Sequence, residues 1–198
     1  MRRIALTGGI ATGKSYVVSR LRARGVPVVD ADVLAREAVA PGSDGLNAVV
    51  NRFGADVLAP DGGLNRARLG EIVFRDKEAR TDLEAIIHPF VRRKINEFFD
   101  ELPREQPFAV ADIPLLYETG RQRQFDKVIV VATSRERQIE RIISRNRLSR
   151  EEAERRVAAQ LPIDAKVSLA DHVIRTDGTH EETDRQVEAL VAELRTEN

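Results

Sequence analysis

The chain has 198 residues, of which 42% are hydrophobic, enough for one domain with an insertion and a sizeable buried core. Its 32 basic and 32 acidic side chains cancel, which excludes an overall positive field for holding nucleic acid or an acidic membrane, so any anion site has to be local. The absence of cysteine excludes disulfides and thiolate metal ligands, and because no apolar run reaches the length of a signal-peptide core or a membrane span, we expect a soluble cytoplasmic protein.

Five short apolar runs are continuous rather than alternating, which is typical of strands buried on both faces of a parallel sheet. Helical patterns separate them, and this alternation predicts an α/β fold with a five-stranded parallel sheet flanked by helices. The predicted strands are Arg3–Thr7, Val26–Asp30, Phe108–Asp112, Lys127–Ala132 and His172–Arg175. One helix, about Lys14–Arg24, joins the first two strands and is ended by Gly25.

A long segment, residues 31–107, separates the second and third strands, whereas a crossover needs only about a dozen residues. The excess predicts an accessory unit, and its apolar residues recur at helical spacing. These residues are Leu69, Ile72, Val73, Leu83, Ile86 and Ile87. Because the residue before a proline disfavours the α region, Pro89 predicts a helix boundary at His88.

Two capping boxes predict where later helices begin. Ser149 with Glu152 starts a helix that runs to about Gln160, and Thr179 with Glu182 starts the C-terminal helix.

Residues Gly8–Ser15 match the phosphate-loop pattern G-x-x-x-x-G-K-[ST] between a predicted strand and a predicted helix. A tightly curled backbone points several N–H donors at a polyphosphate, and the following helix adds its positive N-terminal end. Lys14 is expected to reach the β- and γ-phosphates, and the Ser15 hydroxyl to ligate Mg²⁺. The predicted ATP-binding residues here are Gly8, Gly9, Ile10, Ala11, Thr12, Gly13, Lys14, Ser15 and Tyr16.

The phosphate-loop match is specific, because a chain with so few lysines would produce it by chance on the order of once in a thousand. The alternative is a glycine-rich turn that binds nothing. Among phosphate-loop proteins, GTPases need an Asn-Lys-x-Asp guanine reader, and no Asn in this chain precedes a Lys. Motor ATPases place a water-activating Glu after the third strand, where this chain has Ile113 after Asp112. The pattern therefore favours a kinase, which excludes water and activates a substrate hydroxyl.

Asp32 is the candidate catalytic base, because it follows the second strand at the sheet edge where ligands bind. The alternative is that Asp30 or Asp32 caps the next helix. Asp112 ends the third strand and suits a water-mediated contact to Mg²⁺, or it is simply a polar strand terminus.

Three arginines, Arg137, Arg141 and Arg145, recur on one face of the helix after the fourth strand. They form either a solvated mixed-charge face or a row that an ATP polyphosphate neutralises. In the second case Arg141 and Arg145 steady charge on the transferring group, and the arginine-rich segment after them closes as a lid. The three histidines lack metal-ligand spacing, and contact between His88 and a substrate does not follow from its position alone.

The chain resembles the dephospho-CoA kinase family along nearly its whole length. The matching segments are Leu6–Ile10 with Gly13–Ser15, Val29–Asp32 with Ala35-Arg36, Phe53-Gly54, Asp61-Gly62 with Leu64–Arg66, Leu69-Gly70, Val73-Phe74, Ile87–Pro89, Ile113–Glu118, Gln138 with Arg141 and Arg145, Gln160, Lys166 and Ala170-Asp171. The phosphate loop alone does not separate kinases, but Asp-Ala-Asp, His-Pro and Pro-Leu-Leu in this order are far more specific.

This resemblance implies transfer of the ATP γ-phosphate to the ribose 3′-hydroxyl of dephospho-CoA, with Asp32 as base and Mg²⁺ as the metal. It places His88, Pro114, Leu115 and Leu116 near that substrate. It also implies a nucleoside-monophosphate-kinase-like organisation. The expected parts are a core of about residues 1–30, 107–135 and 168–198, a helical CoA-substrate insertion of about 31–106, and a lid of about 136–167.

The chain departs from the family pattern in three places. Ala11-Thr12 stands where Gly-Ser is usual, so position 11 has to tolerate a Cβ, and Tyr16 replaces the usual Thr. Thr176 stands where Asn is common, which puts an inherited adenine contact there in doubt. Two other functions stay open: another phosphate-loop kinase of a nucleoside, nucleotide or metabolite, and a non-catalytic ATP-binding regulator. Charge and periodicity predict no nucleic-acid or membrane partner and allow a monomer or a small homo-oligomer.

Overall fold

A five-stranded sheet organises the first of two units in the computed structural model, which describes residues 1–196. Its strands are β1 (Arg2–Gly8), β2 (Val28–Asp30), β3 (Phe108–Asp112), β4 (Lys127–Ala132) and β5 (His172–Arg175). They lie in the order β2-β3-β1-β4-β5, and β1 pairs in parallel with both β3 and β4. The predicted parallel α/β sheet is confirmed, and its boundaries differ from the predicted ones by two residues at most.

Nine α-helices are found within residues 1–196. They are α1 (Lys14–Ala23), α2 (Ala31–Glu37), α3 (Asp44–Phe53), α4 (Arg66–Arg75), α5 (Lys77–Glu101), α6 (Arg135–Asn146), α7 (Arg150–Ala158), α8 (Ile163–Ser168) and α9 (His180–Thr196). No helix in this part of the chain is long and apolar enough to cross a membrane.

The first unit comprises Met1–Val29 and the described chain from Leu102 onwards. Its core lies between the sheet and the apolar faces of α1 and α9, with Leu21 and Leu194 packed against strand residues such as Ile129. The central strands β1, β3 and β4 are buried almost throughout, which explains why their sequences are continuously apolar. This rigid sheet positions the loops at its carboxyl edge.

The second unit, Asp30–Glu101, is helical and contains α2 to α5. Its core is a cluster of Val39, Val49, Val57 and Leu69 with neighbouring apolar side chains of α4 and α5. Because the unit consists of helices around its own core, it is a small helical domain that is inserted in the chain of the sheet unit.

The helix boundary predicted at His88 is wrong, because α5 continues through Pro89 as a helix of 25 residues. Proline inside a helix removes one main-chain hydrogen bond and costs about 3 kcal/mol. Buried residues lie on both sides of it, Ala79 before and Val91, Ile95 and Phe99 after, and α5 packs against α2, α3 and α4. Tertiary packing therefore outweighs the local preference.

Both predicted capping boxes are confirmed. The Ser149 hydroxyl accepts from the Glu152 N–H at 3.2 Å, and the Glu152 carboxylate accepts from the Ser149 N–H at 3.1 Å. Thr179 and Glu182 make the same reciprocal pair at 3.2 and 2.9 Å. Side chains thus satisfy N–H groups that the first helical turn leaves unpaired.

Candidate phosphate-binding site

The loop between β1 and α1 needs glycine at three positions for different reasons. A Cβ on Gly8 would lie 2.7 Å from the Val131 carbonyl oxygen, and one on Gly9 would lie 2.5 Å from the Gln138 amide nitrogen. Gly13 has φ of 83° and serves as the N-cap of α1. The first two glycines therefore allow close packing and the third allows the left-handed turn into the helix.

Side chains from outside the loop hold four of its five carbonyls between Gly8 and Thr12. Each of these carbonyl oxygens accepts a hydrogen bond from a different residue. The donors are Lys166 to Gly8 at 3.3 Å, Gln138 to Ile10 at 2.7 Å, Arg141 to Ala11 at 3.2 Å and Thr176 to Thr12 at 2.6 Å. The loop backbone is consequently fixed from its outer side before any ligand arrives.

The inner side of the loop presents unused donors. Within the described chain, the N–H groups of Gly13, Lys14 and Ser15 donate no hydrogen bond, as expected for the start of a helix. The Ser15 hydroxyl is exposed beside them. Several N–H donors at a helix N-terminus, next to a lysine, form an anion-binding arrangement suited to phosphate.

Lys14 and Asp112, predicted as a phosphate contact and a metal contact, are brought together. The Lys14 Nζ lies 2.5 Å and 2.6 Å from the two Asp112 carboxylate oxygens, and the side chains are 17% and 5% exposed. Asp112 stands beside Leu6 in the sheet register, so the strand pairing puts its carboxylate next to the loop. Asp112 is therefore more than a polar strand terminus.

Arg137, Arg141 and Arg145 of α6 do not behave as one row. The Arg141 guanidinium donates to Ala11 at 3.2 Å and, through its other nitrogen, to the Thr176 carbonyl at 2.6 Å. Arg137 and Arg145 are exposed, and within residues 1–196 Arg145 donates only to the neighbouring Asn146 side chain at 3.2 Å. Arg141 is thus built into the loop support, whereas Arg145 is available to a ligand.

Polar residues that sequence reasoning gave no role complete the loop support. Gln138 is buried on the apolar face of α6, and the Gln160 side chain accepts from the Ile10 N–H at 2.7 Å. Lys166 is completely buried and forms an ion pair with Glu118 at 2.7 Å. A glutamine next to Ile139 and four residues before Ile142, on the apolar face of a predicted helix, and a lysine in a lysine-poor chain were the available signals.

The loop after β5 is anchored by Asp177. Its carboxylate accepts from the Ser134 N–H at 2.7 Å and from the Thr133 hydroxyl at 2.9 Å. Burial alone would raise the pKa of Asp177, but these hydrogen bonds, with Arg175 nearby, hold it below its ordinary value. The anchor keeps Thr176 in place against the phosphate loop.

In the second unit, the structure decides which aspartate caps α2. The Asp30 carboxylate accepts from the Asp32 and Val33 N–H groups at 2.8 and 3.2 Å, so Asp30 is the cap. Asp32 is exposed, and within residues 1–196 its carboxylate has no hydrogen-bond or ion-pair partner. His88 is half-buried on α5. Asp32 therefore has the accessibility that a base requires.

The Pro114–Leu116 segment follows β3 in the first unit. The Thr7 hydroxyl donates to the Pro114 carbonyl at 3.0 Å, which ties the segment to β1. Leu115 is 44% exposed, whereas Leu116 is completely buried. A buried side chain offers no surface to a substrate, so Pro114 and Leu115 are the members of this segment that can contact one.

Known proteins are similar in sequence to this chain along nearly its whole length. The family model described as CoaE, dephospho-CoA kinase, matches residues 2–182. A dephospho-CoA kinase of Anaeromyxobacter dehalogenans is 50% identical over 196 residues, which are 98% of this chain and 93% of that protein. The chain belongs to the dephospho-CoA kinase family. The resemblance noted in the sequence is thereby confirmed.

Solved structures agree with this membership of the dephospho-CoA kinase family. A crystal structure from Thermus thermophilus has a TM-score of 0.83 at 35% identity and covers 98% of this chain and 97% of its own. A dephospho-CoA kinase structure from Campylobacter jejuni has a TM-score of 0.75 at 30% identity, with coverage of 98% and 96%.

The departures from the usual dephospho-CoA kinase pattern are accommodated by local contacts. Ala11 has φ of 59°, a left-handed conformation that costs a residue with a Cβ about 1 kcal/mol, and its side chain packs against the apolar cluster of α6 and α7. The Thr176 hydroxyl both donates to Thr12 and accepts from Arg141. Position 176 therefore supports the loop, which is a different task from reading adenine.

Tyr16, the third departure, belongs to a surface cluster at the end of the loop. Its ring stacks on His180 with centroids 4.3 Å apart, and its hydroxyl donates to Asp184 at 2.9 Å. Burial and this hydrogen bond raise the pKa of Tyr16. The contacts join the first turns of α1 and α9.

Proposed function

We propose that the protein transfers the γ-phosphate of ATP to the ribose 3′-hydroxyl of dephospho-CoA, which yields coenzyme A and ADP in the last step of coenzyme A synthesis. The observation that carries the proposal is the phosphate loop, fixed from outside by four side chains and presenting free N–H donors, in a member of the dephospho-CoA kinase family. Preorganised donors stabilise phosphate charge without reorganising during the reaction.

On the nucleotide side, the loop N–H groups and Lys14 hold the β- and γ-phosphates. Lys14 exchanges Asp112 for phosphate oxygens when ATP binds, which is a short movement for a flexible side chain. The exposed Arg145 and the loop-bound Arg141 place positive charge where negative charge develops on the transferring phosphoryl group.

A magnesium ion fits the donors present on this side. The Ser15 hydroxyl would hold it directly and Asp112 through water, because Mg²⁺ prefers oxygen ligands and keeps several waters. No group of three or more acidic, histidine or cysteine side chains in the described part of the chain forms a ready metal cage. When bound, the ion would neutralise negative charge on the phosphates of ATP.

On the acceptor side, Asp32 is the base. The 3′-hydroxyl gives its proton to the Asp32 carboxylate as its oxygen bonds to the γ-phosphorus, and the bond from that phosphorus to the bridging oxygen breaks to release ADP. Asp32 follows β2 in the chain, and in parallel α/β folds the residues that follow the strands are those that bind ligands. His88, Pro114 and Leu115 are proposed to contact the acceptor.

The segment 136–167 is proposed as the lid. Gln138, Arg141, Gln160 and Lys166 tie both of its ends to the phosphate loop. Any closing movement is therefore expected in the stretch between these anchors, about residues 144–159. The cytoplasmic location and the oligomeric state stay predictions.

The test is turnover of dephospho-CoA by the purified protein with ATP and Mg²⁺. We expect coenzyme A and ADP in equal amounts, measured by chromatography, and no comparable turnover of AMP, shikimate or gluconate. Phosphorylation of one of those compounds without coenzyme A formation would instead identify another metabolite kinase. ATP binding without any turnover would identify a non-catalytic regulator.

A further inference from the structure

Lys166 on α8 is a buried lysine without a role in the proposed reaction. Its side chain is 0% exposed, whereas lysines are almost never fully buried unless they are paired. Removing an ammonium group from water is costly, so its surroundings have to compensate with hydrogen bonds and an opposite charge.

The three acceptors around Lys166 match the three N–H donors of its ammonium group. Its Nζ lies 2.7 Å from a carboxylate oxygen of Glu118, 3.3 Å from the Gly8 carbonyl oxygen and 3.5 Å from the Pro114 carbonyl oxygen. Gly8 opens the phosphate loop, and Pro114 and Glu118 belong to the segment after β3. One ammonium group therefore holds the loop and this segment together.

Glu118 extends the same network to the connection between α7 and α8. The carboxylate oxygen that meets Lys166 also accepts from the Leu161 N–H at 3.1 Å. The residue before Leu161 is Gln160, which accepts from the Ile10 N–H at 2.7 Å. One hydrogen-bond network therefore contacts the phosphate loop at two positions, because Lys166 donates to the Gly8 carbonyl and Gln160 accepts from the Ile10 N–H.

We propose that Lys166 is a positioning residue that fixes the Gly8 carbonyl, and with it the direction of the loop's N–H groups, and that it couples this loop to the Pro114–Leu115 segment. The coupling to the acceptor rests on the proposed function, whereas the effect on the loop does not. Lys166 acts through Gly8 and Pro114, because a completely buried Nζ cannot touch a substrate.

If Lys166 served only to fill space, an apolar side chain of similar length would replace it without weakening ATP binding. An apolar side chain of similar length packs equally well but supplies no donors, so the Gly8 and Pro114 carbonyls would lose their shared partner. The comparison of Lys166→Met with Lys166→Arg separates the two roles, because Arg keeps the charge and donors on a longer side chain.

The experiment measures the dissociation constant for ATP by calorimetry, at a temperature where each variant is shown to be folded by circular dichroism. For Lys166→Met we expect affinity to fall about tenfold, because a preorganised loop loses one of its fixing contacts. We also expect KM for dephospho-CoA to rise, and Lys166→Arg to recover part of both losses. Wild-type ATP affinity in folded Lys166→Met would overturn the proposal.

Two control variants distinguish positioning from general stability. Val187→Ala removes buried apolar volume from α9 and should lower the melting temperature while leaving ATP affinity unchanged. Lys94→Met breaks the exposed pair with Glu97, also 2.7 Å long, and should change neither quantity. If Val187→Ala weakens ATP binding as much as Lys166→Met does, the loss reflects stability alone and the proposal fails.

If Lys166→Met does not fold, Glu118→Gln takes its place. Glutamine keeps an acceptor for Lys166 and Leu161 but removes the negative charge. We therefore expect the affinity for ATP to fall, and KM for dephospho-CoA to rise, by about threefold. Wild-type values for both ligands would then contradict the proposal. Weakened ATP binding in these variants, with no coenzyme A made by the wild type, would refute the proposed function and leave the role of Lys166 at the loop standing.

Discussion

The two units present their candidate residues in opposite ways. In the first unit, the phosphate loop is tied by outside side chains at four carbonyls, and Lys14 is already bonded to Asp112. In the second unit, Asp32 is exposed and, within residues 1–196, its carboxylate has no hydrogen-bond or ion-pair partner. The proposed nucleotide side is therefore built before binding, whereas the proposed acceptor side offers an uncommitted carboxylate.

This contrast predicts different results from substitution on the two sides. A change to the nucleotide side should affect stability and ATP affinity together, because the same contacts support fold and ligand. A change to the acceptor side should affect turnover alone.

Asp32→Asn should lower turnover of dephospho-CoA by about 10²- to 10⁴-fold, since the acceptor hydroxyl loses its base. ATP affinity and the melting temperature should stay near the wild-type values, because the exposed carboxylate supports neither. Steady-state kinetics and calorimetry measure both. Asp30→Asn is the matched control, since asparagine caps helices as well as aspartate does. Turnover at the wild-type rate in Asp32→Asn would remove the base assignment.

Lys14→Met should weaken ATP binding by about tenfold or more and also destabilise the fold by about 2–3 kcal/mol, because the buried Asp112 carboxylate loses its ion-pair partner. Urea denaturation measures the second effect. In Lys14→Met with Asp112→Asn, most of the stability should return while ATP binding stays weak. Unchanged ATP affinity in Lys14→Met would contradict the assignment of the loop.

Asp177→Asn should reduce the free energy of unfolding by about 1–2 kcal/mol at neutral pH, because a charged acceptor of two hydrogen bonds is lost. Since the folded-state pKa of Asp177 lies below its ordinary value, its stabilising effect is present above about pH 4 and is lost as the pH falls through the folded-state pKa. The difference between variant and wild type should therefore shrink in acid.

Urea denaturation at neutral pH and at about pH 3 tests this prediction, with the value chosen to lie below the ordinary aspartate pKa. Glu105→Gln, at an exposed position, is the control and should change stability little at either pH. A difference that grows in acid would show that Asp177 does not anchor the loop as a carboxylate.

Ala11→Gly should change stability by less than about 1 kcal/mol, because relief at a φ of 59° is offset by greater unfolded-state entropy and by lost packing. Ala11→Val should destabilise by about 2 kcal/mol, since a β-branched side chain tolerates the left-handed region poorly. Thermal denaturation of both variants measures the difference. Equal stability of the two would show that backbone strain at position 11 is unimportant.

Much of the fold was predictable because its signals are local. Continuous apolar runs indicated the strands, reciprocal Ser–Glu and Thr–Glu pairs indicated two helix starts, and a glycine-rich turn before Lys14 indicated the phosphate loop. The same local logic failed at Pro89, where the packing of α5 on both sides outweighs the proline. A local preference predicts an element only when no larger contact opposes it.

The α/β class, the place of the phosphate loop and the family can be read from the amino-acid sequence, because spacing along the chain carries that information. The folded structure was needed to show that Asp30 caps α2 and Asp32 does not, that Lys14 pairs with Asp112, and that the buried Lys166 donates to Gly8. Those pairings join residues up to 158 positions apart. Strand order and helix packing bring such residues together, and no short-range pattern records which partner each will meet.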